Sequence, residues 1–422
     1  MANGFNKQEV VAFEAILEKF NDNEILSKAV KKYKTDSVTM ARSNDTIWRP
    51  YPYIMPAYDG MDQSANFKDN TQLAVPATLG FYKSVPWFLT ELELRDQLQE
   101  QRLGDSARQT IASQINQAIL RTAGYQGTIV IKRTAAATGF DDIAQADSAM
   151  SRVGVQRYGR YQALSPSDYN NMASNLAGRQ TVAGKVLTAY EDAMVGNVSG
   201  FDTFKLDYSL ILPAAAGGGG LTISTLAAGG NLYTPVGYSV AATGRGGNVD
   251  NRFQTVTLSS TTNVAAGDCF TIANVFEAHH ITKQNTGTLK TFRVISVNSS
   301  TTMTISPPLI PAQTGVQSTV QYQNVVITTA ASNAAIVFLN TQAAQINPFW
   351  QDDALEILPG RIAMPSDAGI AVMRGTTDSG IELTMMKQAD INTGKIKYRL
   401  DSLFGVVNKQ PEMSGIILFS QT

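Results

Sequence analysis

The stretch Glu277–Gln284, EAHHITKQ, holds both histidines of the 422-residue chain, and the single cysteine, Cys269, lies about ten residues before it. A zinc site needs about four nitrogen, sulfur or oxygen ligands at suitable spacing. Adjacent side chains on a strand point to opposite faces, so His279 and His280 are poorly placed to share one ion. Cys269 is expected on a different strand, with Asp268 as its nearest acid. The reading is therefore a strand running into a loop, its histidines incidental to chemistry. The glycine run 217–220 lacks the Lys-Ser/Thr of a phosphate loop, and GRGG at 244–247 fails the same test. Both read as turns. Asp352 and Asp353 in FWQDDALE are neighbouring carboxylates with no His or Lys beside them, which fits a turn or helix start better than acid–base work. GxSxG, HExxH and CxxC are absent from the sequence. Nothing here proposes a catalytic residue, a metal or a cofactor, and an enzyme is not expected.

The totals point elsewhere. Hydrophobic residues make up 43% of the chain and charged residues only 16%, against roughly 25% charged in ordinary soluble proteins. Asn, Gln, Ser and Thr supply much of the polarity. A surface largely covered by other subunits needs less charge for solubility. The net charge of −1 argues against tight, sequence-independent binding of duplex nucleic acid. One cysteine excludes an intrachain disulfide framework and suits a reducing compartment. The start, MANGFNKQEV, does not read as a secretory signal, and no apolar run reaches about 18 residues, so no membrane span is expected.

The chain must position whatever surfaces matter. Residues 6–34 read as helical, with Val10, Phe13, Ile16, Leu17 and Phe20 at three- and four-residue spacing and a break at NDNE. Such a helix docks either on a partner or on its own chain. Residues 36–85 read as a long two-stranded arm. TQLAVPATLGFYK alternates, with Leu73, Val75, Ala77, Leu79 and Phe81 on one face, and Pro76 marks an edge. Between the strands, PYPYIMPAYDGMDQSANFKDN forms an irregular tip. An isolated hairpin is marginal in water, so the arm is expected to lie across a neighbour. Residues 88–124 give the strongest helical signal, with a kink or restart expected at Gly104 and a C-cap at Gly124. Further on, a helix is expected over DIAQADSAMSRVG, and a second one capped by Ser165 or Ser167. From about residue 219 to 328 the chain is short strands and turns, which imply a small antiparallel barrel or sandwich inserted in an α/β host.

Four stretches, TMARSNDTIWRP (39–50), VSGFDTF (198–204), GGNVDNRFQTVTLSS (246–260) and NPFWQDDALEIL (347–358), together resemble the major coat proteins of P22-like short-tailed phages. Their order and spacing carry the resemblance over most of the chain. It implies an α+β, HK97-like (Johnson) capsid fold. Residues 1–35 would be the N-terminal arm and 36–85 the E-loop. Residues 86–218 would form the first part of the peripheral and axial domains, with a spine helix at 88–124. Residues 219–328 would be the inserted β-barrel domain and 329–422 the second part of the axial and peripheral domains.

The resemblance also implies function: self-assembly into pentamers and hexamers of an icosahedral head around double-stranded DNA, which it would enclose without specific binding. The shell would expand on maturation. It implies a homo-oligomer, a scaffolding protein and a portal protein as partners, no membrane, and a place in the virion after assembly in the host bacterial cytoplasm. No lysine–asparagine crosslink is implied. In relatives a long loop of the inserted domain reaches the next capsomer and often carries acids. The matching stretch, 238–252, has no acid at its tip, 241–247, and carries Arg245 there instead; Arg245, Asp250 and Arg252 are the candidate inter-capsomer contacts. Trp48, Tyr51, Tyr53 and Tyr58 are the candidate E-loop contacts, although Trp48 fits the hairpin's own base equally well. A cellular encapsulin-like shell would share the fold. A surface adhesin or carbohydrate-binding protein would explain the strand-rich middle, but not the long helix.

Overall fold

A computed structural model describes residues 5, 7–23, 26–33, 46–52, 54–90, 93, 97–177, 196–206, 208–217, 220–227, 230–239, 247–329, 333–362, 370–377, 380–390 and 392–422. The chain divides into two units: Met1–Ile47 with Ala77–Leu120 and Leu355–Val407, and Trp48–Pro76 with Arg121–Ala354 and Asn408–Thr422. No helix among the described residues is long and apolar enough to cross a membrane.

The first unit is built on a mixed sheet. Its strands run Lys31–Lys32, Leu355–Pro359, Lys395–Asn408, Glu382–Asp390 and Ala371–Thr376, with Phe81–Leu89 also paired to Lys395–Asn408. The helix Lys7–Asn23 buries Phe13, Ile16 and Phe20. Glu9, also buried, accepts hydrogen bonds from Lys387 Nζ at 2.5 Å and Tyr398 Oη at 2.9 Å. The helix is thus docked on its own chain. The expected helix at 88–124 begins later: Phe81–Leu89 is strand, because its side chains alternate in exposure with period two. The helix itself runs unbroken over Gln97–Gln126, burying Ala107, Ile111, Ile115 and Ile119. Gly104 does not restart it. A Cβ there would sit 2.9 Å from Ile16 Cδ1, so the glycine lets the N-terminal helix approach. Gly124 is no C-cap either: the helix passes through it, and a Cβ there would meet Ile346 at 3.1 Å.

The second unit holds a six-stranded sheet and a barrel. The sheet order is Ile129–Lys132, Ser414–Leu418, Asn347–Gln351, Arg160–Leu164, Phe201–Lys205 and Asn197–Val198. Helices Phe140–Val153 and Pro166–Ala177 cover it through Ile143, Ala146, Met150, Val153, Met172 and Ala173. Ser165 is the residue that caps the second helix: its Oγ accepts from the Asp168 N–H at 3.3 Å.

The barrel follows the order Thr222–Ile223, Ala334–Phe338, Cys269–Ala278, Asn285–Val297, Thr302–Ser306 and Gln254–Thr257, with Val325–Ile327 added to Cys269–Ala278. Its two ends meet. Ile223 bridges Leu258, and the Ser259 N–H donates to Thr222 O at 2.8 Å. Closure removes the open edges a flat sheet would expose. Val256, Phe270, Ile272, Phe292, Val294, Met303 and Ile305 fill the interior. The sheet runs on past the expected limit at residue 328, because Ala334–Phe338 pairs with Cys269–Ala278. Just outside it, Leu212 pairs with Ala344 and Ile211 with Gln345, so the chain leaves and re-enters its host side by side. Asn340 staples this neck, donating to Pro213 O at 3.1 Å and Asp268 Oδ1 at 2.9 Å.

Candidate assembly surfaces and the histidine turn

The hairpin base lies on the barrel of its own chain. Thr46–Pro50 pairs with Ala74–Thr78 in a two-stranded sheet, consistent with Pro76 in an edge strand. The strand reading over 36–45 lies outside the described residues. Trp48 is half-buried, with its ring 5.9 Å from that of Tyr238. Tyr51 packs edge-on against Tyr322 at 5.9 Å, and its N–H donates to Leu73 O at 2.9 Å. Burial, followed by the charge of Glu412, pushes the Tyr51 hydroxyl well above the usual phenol range. Tyr322 Oη donates to Thr71 O at 2.8 Å, tying the returning strand to the barrel as well. Trp48 and Tyr51 are therefore used within the chain. Tyr53 lies outside the described residues.

The tip is different. Met61 is 103% exposed, Phe67 87% and Met55 55%. Tyr58 is 41% exposed and accepts a long bond from Gln317 Nε2, at 3.4 Å. Asp62 folds the tip on itself by accepting from the Ser64 N–H at 3.0 Å, which holds its carboxyl below the usual range. This apolar knob was missed in the sequence, where the tyrosines drew attention instead.

The loop 238–252 is described at both ends but not at 240–246, where Arg245 lies. At its base, Asn248 brackets Ser239 with two hydrogen bonds of 2.9 and 3.1 Å. Arg252 is 9% exposed and pairs with Asp250 at 2.6 Å. Its other nitrogen donates to Asn408 O at 2.7 Å, and the guanidinium stacks over Phe253 at 5.0 Å. Asp250 and Arg252 thus serve each other and the C-terminal segment.

Cys269 and the histidines are not on different strands, as expected, but on and just beyond one strand, Cys269–Ala278. Ten residues at about 3.3 Å each keep Cys269 far from the turn. The thiol is buried, which raises its pKa, and accepts from Arg293 Nη1 at 3.2 Å. His279 and His280 lie where the strand enters its turn. His279 Nδ1 accepts from the Ile281 and Thr282 N–H groups at 3.3 and 3.2 Å, and its ring packs on Gly154. The His280 N–H donates to Val153 O at 2.9 Å. Its Nε2 is buried without a hydrogen-bond partner, 3.9 Å from Glu412 Oε2. Glu412 accepts from Lys290 Nζ at 2.7 Å and from Asn324 Nδ2 at 3.1 Å. Burial alone would push the Glu412 carboxyl up, but Lys290, His280 and these hydrogen bonds hold it below its usual range. Burial also lowers the His280 pKa to about 4, against the pull of Glu412. Among the described residues no cluster of three or more His, Cys, Asp or Glu side chains suits a metal ion. Asp352 and Asp353 stand in the turn after Asn347–Gln351, where Gln351 Nε2 bonds both and Tyr158 Oη donates to Asp353 at 3.0 Å.

The family model described as P22 coat protein, gene protein 5, matches residues 1–420. The chain belongs to the P22 coat protein family. It is a major capsid protein of a phage head, an α+β chain with an inserted β domain, and it assembles with other copies into the capsid that forms the virion. Among solved structures, the CUS-3 coat protein I-domain is 39% identical; the match covers 30% of this chain and 99% of that one, with a TM-score of 0.23. The chain of Mycobacterium phage Che8 is 7% identical, with 93% and 95% covered and a TM-score of 0.44. The capsid of Cyanophage P-SCSP1u is 10% identical, with 93% and 86% covered and a TM-score of 0.41.

Proposed function

We propose that this coat protein builds pentamers and hexamers of an icosahedral head around double-stranded DNA, and that the shell expands on maturation. The observation that carries the subunit contact is the exposed apolar tip at Met55, Met61 and Phe67. Apolar side chains held this far into solvent gain by burial against a second molecule. The hairpin base, with Trp48 and Tyr51, fixes the tip's direction. Tyr53 and Tyr58 would join the contact with the neighbour. Arg245 would be the reaching group of the 238–252 loop, while the Asp250–Arg252 pair shapes its base. Many weak contacts of this kind, repeated by symmetry, give a stable shell.

The proposed domain scheme has an N-terminal arm at 1–35, an E-loop at 36–85, and peripheral and axial parts on either side of the insertion. The strand pairing at the neck favours limits for the inserted barrel near residues 213 and 343. A scaffolding protein and a portal protein are proposed partners, and assembly is proposed to take place in the host cytoplasm. The role is structural, without catalysis. A net charge of −1 suits a wall that encloses DNA without gripping it. The test is a Met61→Ser, Phe67→Ser double variant. It is expected to remain folded, with an unchanged thermal midpoint, while forming few or no closed shells. Normal shells from this variant would remove the tip from the contact.

A further inference from the structure

We infer that His280 is an acid-operated latch, packed between the inserted barrel and the C-terminal segment while neutral and displaced when protonated. The cluster draws on several elements of one unit. His280 comes from the turn after Cys269–Ala278, Lys290 from the next strand, Asn324 from the approach to Val325–Ile327, and Glu412 from the short helix Pro411–Met413. A cavity of about 30 Å³ lies beside them, lined also by Tyr51, Arg252 and Tyr322. The imidazole therefore has room to shift.

The charge balance gives the latch its direction. Glu412 is the carboxylate nearest the ring, and Lys290 already pairs with it at 2.7 Å. Lys283, on the same turn, donates to Gln323 O at 3.2 Å and adds a second cation. Arg252 across the cavity is balanced by Asp250. Arg152, on the helix ending at Val153, is balanced by Glu277 at 3.2 Å. His279 and the hydroxyls of Tyr51 and Tyr322 are the other titratable groups among the described residues at the site. A proton on His280 places another cation in this buried group. Its attraction to Glu412 offsets only part of the desolvation, because Lys290 has already neutralised that carboxylate. The charged ring is better solvated outside. Moving out strains the His280 N–H bond to Val153 O and the packing beside Glu412. Acid thus loosens the joint without touching the barrel core.

Hydrogen exchange on the full chain, unassembled and in shells, tests this directly. Peptides covering 277–290 and 408–414 are followed from pH 6.5 to 4.5, corrected for intrinsic exchange. Protection is expected to fall about fortyfold in the unmodified chain, the ratio that proton linkage gives between a free imidazole and one held near 4. His280→Gln, neutral at every pH, is expected to flatten the response. Lys283→Gln, which removes a facing cation and so brings the folded imidazole nearer its free value, is expected to shrink the fall, and this readout stands if His280→Gln folds poorly. Unchanged protection in the unmodified chain overturns the latch. So does the same acid response in His280→Gln, or an undiminished fall in Lys283→Gln.

Discussion

Arg252 spends its hydrogen bonds on Asp250 and Asn408, so its loss should register first as stability. Arg252→Met leaves a largely buried carboxylate with a diminished set of partners. It is expected to cost about 2–3 kcal/mol, somewhat less than a fully buried pair because Asp250 is 22% exposed. Denaturant unfolding of the unassembled chain measures this. Arg245→Ala should leave that unfolding unchanged and weaken shells only. His280 adds a pH dependence whose sign is fixed. Its folded pKa, about 4, lies below the free value of 6.5, so the unfolded chain binds the proton first. Stability is then complete above pH 6.5 and falls toward pH 4 by up to about 3 kcal/mol. Thermal midpoints across that range check it. At this scale the sequence was only partly legible. It reads EAHHITKQ correctly as a strand entering a loop. It cannot place Glu412 beside His280, because 132 positions separate them in the chain and only the fold brings them together.

At the scale of elements, glycines set the closest approaches. Gly104→Leu should push the helix Lys7–Asn23 off the long helix, since even a Cβ falls 2.9 Å from Ile16. Protease sensitivity of the N-terminal 30 or so residues is expected to rise, with the Gln97–Gln126 helix retained. Gly154 has φ +96° and a Cβ there would lie 2.8 Å from the His279 ring. Gly154→Ala should cost about 1–3 kcal/mol from backbone strain alone, readable as a lowered midpoint. Periodicity made the helices and the barrel strands legible, because their burial is local and one-sided. The misreadings came where local signals compete. The helix expected from residue 88 includes Phe88 and Leu89, yet Phe81–Leu89 is claimed as strand by its ladder with Lys395–Asn408, while Leu92 lies outside the described residues. Gly104 and Gly124 look like breaks because Gly is a poor helix former, but tertiary packing overrides that preference. The sheet runs on past residue 328 because Ala334–Phe338, a short strand, pairs with one more than 60 residues earlier, a pairing no local signal carries.

For the molecule as a whole, the resemblance carried by four ordered stretches and the family match over residues 1–420 agree. What composition could say was that the chain has few charges and no chemistry-bearing constellation. What it could not say was which surface meets a neighbour. Tyrosines near the hairpin base were the natural candidates, yet Trp48 and Tyr51 are used within the chain and the tip displays Met61 and Phe67. The most direct measurement is cryo-electron microscopy of the purified chain, alone and co-expressed with the adjacent reading frame. Closed icosahedral shells are predicted, with density for Met61 and Phe67 buried against the next subunit. Monomers or small discrete oligomers in both preparations, or shells in which that tip stays in solvent, would contradict the account.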